Sequence, residues 1–189
     1  MTRPMEAVRP PRSADRSRPA SAADRTPQLL RGAAILFTVA VLLHNSDHLR
    51  RGADAIGRDV FWIGSAAMIV EVGVVMLIFL RHRLAPLAAM VAGFSLAVGY
   101  TFVHFTPSRS WLSDSFVSGA ARGISVGAAG LETAAAVVLG MVGAYVMRHG
   151  QPASANHTVN SRGLLHPVVL AMLVGNVTIF VASLVQLLN

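Results

Sequence analysis

The sequence predicts an all-α fold, a polytopic membrane helix bundle of five transmembrane helices. Two observations predict it. The 189 residues are 53% hydrophobic and only 13% charged, about half the charged fraction of an ordinary soluble domain. The apolar residues are also gathered into long runs, and roughly 20 of them in a helix cross the ~30 Å hydrocarbon core of a bilayer. Lipid offers no water to backbone N–H and C=O groups, so a spanning chain is either helical or a closed barrel. The runs do not alternate apolar with polar residues, which rejects the barrel.

The elements follow in order. Residues 1–28 hold five prolines and six arginines among Ser, Ala and Asp, with no apolar period. They read as a disordered Arg/Pro-rich cytoplasmic tail that meets anionic lipid, leaving 29–189 as the transmembrane domain. The first span runs from Leu29 to Leu49. Its uninterrupted apolar stretch, Gly32 to Leu43, has only 12 residues. It crosses only if His44, Asn45, Ser46, Asp47 and His48 continue the helix to the membrane lip. The second span covers Val60 to Leu80. The third covers Leu84 to Phe105, with Pro86 in its first turn, where proline is tolerated. The fourth covers Ile124 to Met147. Gly123, Gly127, Gly130, Ala134, Gly140 and Ala144 give it small residues at close-packing spacing, which places it centrally. The fifth covers Leu164 to Leu188, with Pro167 near its start and Asn176 and Gln186 as interhelical hydrogen-bonding groups.

Arginine sets the expected orientation. With the N-terminus cytoplasmic and the C-terminus outside, inner segments carry eleven arginines and outer loops five: Arg50, Arg51, Arg58, Arg109 and Arg122. All 16 basic side chains are arginine, which with much Ala, Gly and Val suggests a GC-rich bacterial genome and a bacterial plasma membrane. The net charge of +7 sits beside apolar segments, so it reads as a topological signal and not as a nucleic-acid surface. The absence of cysteine excludes disulfides, thiolate metal sites and iron–sulfur clusters. Oligomeric state leaves no signal.

Two spacings suggest an internal repeat. Glu71 follows His44 by 27 residues, and Glu132 follows His104 by 28. Spans one and two, and spans three and four, would then form two repeated helical hairpins plus one extra helix.

The polar residues inside this apolar chain define the candidate site. His44 and His48 lie one turn apart on one helix face with Asp47 beside them, a spacing that offers two imidazoles to one metal. The plain alternative is an interfacial cap of wet polar groups. His104 ends span three at a similar depth, with Tyr100 one turn inward, read here as part of the aromatic belt. Glu71 and Glu132 sit alone inside long apolar runs, where a charge is costly and usually faces a partner or a cavity. Glu132 lies about 12 Å from the outer end of its span, close to the histidines, and Glu71 about 17 Å, near mid-membrane. Histidine and carboxylate together suit a divalent transition metal (zinc, iron, manganese or copper) without choosing among them. The expected ligand set is His44, Asp47, His48, His104 and Glu132, with Glu71 as a proton-relay group. A haem b held by His44 and His104 is a weaker alternative. The loop Thr106–Gly123, with Trp111 and Phe116, reads as a belt segment, the alternative being a flap over the histidine layer. No nucleophile motif identifies an enzyme. The rival readings are a proton-coupled transporter or channel subunit using Glu71 and Glu132, and a structural subunit without chemistry.

Overall fold

The computed structural model describes residues 22–52, 57–107, 114–116, 123–149 and 161–188. Its elements are α1 (Ala22–Arg51), α2 (Arg58–Phe79), α3 (Ala85–Phe105), α4 (Ile124–His149), a 3-10 turn (Ser161–Leu165) and α5 (Pro167–Leu188). All five α-helices are long and apolar enough to cross a membrane, and there is no strand among the described residues. The outside of the bundle is apolar: Val39, Leu43, Ile69, Val98, Ile124, Val174 and Val181 are all exposed. That surface fits lipid, which leaves no hydrophobic reason to bury it.

Helix α1 differs from the sequence boundary at its start. It begins at Ala22, seven residues before Leu29, and Pro27 lies inside it. Its other end meets the condition set above, since the helix runs unbroken through His44–His48 to Arg51. Helix α3 starts with Pro86 in its first turn, where the missing N–H has no intrahelical acceptor to lose. Pro167 opens α5 in the same way.

Helix α4 is the centre of the bundle, packed closely against α3 on one side and α1 on the other. Of the glycines the spacing singled out, Gly140 lies on the face that does this and Gly127 does not. A Cβ on Gly93 would sit 2.5 Å from the Gly140 backbone nitrogen, and one on Gly143 would sit 2.5 Å from the Met90 nitrogen. These contacts involve backbone, which cannot swing aside as a side chain does, so α3 and α4 approach as closely as they do only because both positions lack a side chain. Gly127, by contrast, has open space where a Cβ would be. Ala89, Ala136 and Leu139 complete the buried seam.

Helix α5 lies against α1 and α2. Gly175 receives the Leu42 side chain, and Asn45 donates to Asn176 at 3.0 Å. Asn176 thus bridges helices as expected, whereas Gln186 is exposed. The two hairpins of the suggested repeat are unlike: α3 and α4 pack along their length, while α1 and α2 touch sparsely. The duplication therefore gains no support from the packing.

Candidate metal centre

The C-terminal ends of α1 and α3 and the N-terminal end of α4 share one end of the bundle, and the polar residues converge there. At 3.6 residues per turn, positions 44, 47, 48 and 51 fall on one face of α1. That face turns inward: His44 and Asp47 are buried, and the side chain of Arg51 is 12% exposed. Because α4 stands between α1 and α3, the imidazoles of His44 and His104 meet through their side chains at its end, with little direct helix-to-helix packing.

His44 Nε2 is the hub. It lies 2.8 Å from His48 Nε2, 3.2 Å from His104 Nε2 and 3.5 Å from Glu132 Oε2. One ring nitrogen from each of His44, His48 and His104 can be chosen so that all lie within 4.8 Å of one another. Bonds of 2.0–2.1 Å at tetrahedral angles place donor atoms about 3.3 Å apart, so the spacings around His44 are those of ligands around one ion.

The proton positions follow from the partners. An arginine only donates, so Arg51 Nη2 at 2.8 Å from His48 Nδ1 leaves that nitrogen a lone pair. His48 Nε2 then carries hydrogen and gives it to His44 Nε2. On the other side, His104 Nδ1 faces the Asp114 carbonyl oxygen at 3.3 Å and donates to it. That leaves His104 Nε2 a lone pair aimed at His44 Nε2, which is already an acceptor. His44 Nδ1 is buried without a hydrogen-bond partner. No assignment of neutral tautomers satisfies all three rings, and a cation among the three Nε2 atoms relieves the opposed lone pairs.

Around the rings lies a charged collar. Asp47 accepts from Arg50 at 2.7 Å and pairs with Arg51 at 3.3 Å, and Arg51 binds Asp114 at 2.6 and 3.1 Å. Asp47, expected among the ligands, is therefore held by the two arginines and stands outside the group of converging nitrogens. Phe116 stacks on His104 with ring centroids 4.8 Å apart, and the Arg51 guanidinium lies 4.9 Å above the Phe116 ring. Residues 114–116 thus fold over the histidines, where the belt reading had put them in the interface. Trp111 lies outside the described residues.

Toward the middle of the bundle, Glu71 and Glu132 are both buried. Tyr100 donates to Glu71 Oε1 at 2.6 Å, and its hydroxyl also faces Glu132. A cavity of about 190 Å³ touches His44, His48, His104, Glu71, Tyr100 and Glu132. Tyr100, Arg51 and Asp114 are the site residues that sequence reasoning missed.

The haem alternative does not fit this geometry. Axial ligands stand on opposite sides of the iron, about 4 Å apart at two metal–nitrogen bonds, with the macrocycle between them. Here the two nitrogens are 3.2 Å apart and the His48 ring lies beside both.

Comparison with protein-family models, with curated proteins and with solved structures gives no match. The reading of the centre rests on its own chemistry.

Proposed function

We propose that this multi-pass membrane protein binds one divalent transition metal through His44, His48 and His104, with Glu132 completing the donor set. The observation that carries the reading is the cluster of ring nitrogens about His44 Nε2, 2.8 and 3.2 Å from it. Charge supports it as well. Arg50 and Arg51 offset Asp47 and Asp114, whereas Glu71 and Glu132 have no arginine partner among the described residues. A dication at the imidazoles would offset carboxylate charge in a medium that tolerates unpaired charge poorly. Three imidazoles and a carboxylate suit zinc, iron or manganese better than a soft ion.

A second reading is favoured by one contact. The Tyr100 hydroxyl joins Glu71 to Glu132, which joins His44, so a proton can be handed between mid-membrane and the centre through groups that both donate and accept. In this reading Glu71 is the relay, serving the metal or a proton-coupled transport step.

The deciding experiment is elemental analysis of protein purified without a metal-affinity tag and dialysed against metal-free buffer. About one equivalent of a single transition metal per chain is the expected result. Metal-free protein that also fails to take up zinc, iron or manganese would end the first reading. Proton flux in liposomes, lost in Glu71→Gln, would then carry the second.

The arginine distribution supports a cytoplasmic N-terminus, an outward C-terminus and a centre in the outer half of the bundle, and the arginine-only basic set supports a bacterial plasma membrane. Reporter fusions after Arg83 and Ser115 should read inside and outside. The reverse pattern would invert the assignment.

A further inference from the structure

The cavity beside the histidines has an opening and an unused polar atom. Its walls come from all five helices: His44 of α1, Phe61 and Gly64 of α2, Ser95 and Gly99 of α3, Glu132 of α4, and Phe180 of α5. Most of this lining is apolar. On the α2–α3 side, Ile63, Gly64, Ser95 and Gly99 are exposed, so the cavity reaches the flank of the bundle that faces lipid. Gly64 and Gly99 leave that mouth open, since a Cβ on either would meet nothing within 4 Å. Deep inside, Glu71 lines the cavity and is 2% exposed, and its Oε2 has no hydrogen-bond partner.

We propose that this cavity is a binding site for a small hydroxylated ring, of the phenol class, that enters from the bilayer between α2 and α3. Size comes first. A dry cavity of about 150 Å³ holds benzene, so about 190 Å³ holds a ring with one or two substituents. Polarity comes second. A buried carboxyl oxygen without a partner is costly, and a ligand hydroxyl that donates to Glu71 Oε2 removes the cost. An acyl chain of the same volume would leave the oxygen unpaired. The apolar mouth selects against a charged ligand. Placed there, the ring lies beside the imidazoles and within reach of the Glu71–Tyr100 pair. The proposal stands on the cavity and Glu71 and does not require the metal.

Fluorine NMR on the full chain in nanodiscs tests it, with 4-fluorophenol and fluorobenzene as probes. Saturable binding of 4-fluorophenol at one site per chain, at least tenfold tighter than fluorobenzene, is expected. Glu71→Met should remove that preference. Gly99→Leu fills the mouth without a backbone clash and should abolish saturable binding of both probes while metal content stays unchanged, which separates this site from the metal reading. Equal affinity for the two probes, or binding that survives Gly99→Leu, would overturn the proposal. So would a phospholipid retained in native mass spectrometry that 4-fluorophenol does not displace.

Discussion

Replacing His44 with alanine should lower metal affinity a hundredfold or more, whereas replacing Asp47 with asparagine should weaken it less. His44 Nε2 is the atom from which the spacings to His48, His104 and Glu132 are all 2.8–3.5 Å. Its removal takes one donor from four. Apparent binding free energies of structural zinc run to about 10–16 kcal/mol, so a quarter of that is roughly 3 kcal/mol, a hundredfold or more in affinity. Asp47 touches the arginines of the collar and not the rings. Losing such outer support typically costs about 10–100-fold. Competition against a chelator of known affinity measures both. The alanine variant must first give the wild-type elution profile and helical circular dichroism. If it folds and binds metal as tightly as the wild type, the three-histidine centre is wrong. If Asp47→Asn loses as much as His44→Ala, Asp47 belongs among the ligands after all.

The spans were legible in the sequence because hydropathy over 20 residues is a summed property that no single contact decides. The common level of the histidines and of Glu132 along the bundle was legible for a similar reason, since a helix converts residue count into distance at a fixed rise. What a helix does not encode alone is which of its faces has a neighbour. The run in α4 holds small residues on several faces, and only the approach of α3 selects Gly140 and Gly143 over Gly127. Arg50 and Arg51 look in sequence like any topological pair after a span. The inward turn of Arg51 depends on Asp114, 63 residues beyond it, lying over the same helix end, while Arg50 stays more than half exposed. Tyr100 resembled a belt residue because its depth is ordinary, and its hydrogen bond to Glu71 comes from a different helix. Pro27 read as tail because proline is rare inside helices, yet it falls near the start of α1, where few intrahelical bonds are lost.

Metal affinity should fall steeply as pH falls, and loading should release a proton even in alkaline solution. The sign follows from the donors. An imidazole binds metal through a lone pair that a proton also occupies, so acid competes with metal and base favours it. With three imidazoles in the set, the limiting dependence is about three decades of affinity per pH unit once all three must be deprotonated. At about pH 8.5, above the ordinary imidazole range, that competition is spent and a simple centre would release nothing. This centre should still release about one proton, because Arg51 at 2.8 Å keeps His48 Nδ1 an acceptor and the hydrogen on Nε2, the nitrogen facing His44. Metal can take that position only if the hydrogen leaves. Arg51→Gln tests the cause, since a glutamine carbonyl accepts from His48 Nδ1 and lets Nε2 carry the lone pair. Proton release at pH 8.5, read with an indicator dye in weak buffer as metal is added, should fall from about one per metal to near zero in that variant. Equal release in both proteins would remove Arg51 from the control of His48, and an affinity unchanged between pH 8.5 and 6 would mean that loading takes no proton from His48.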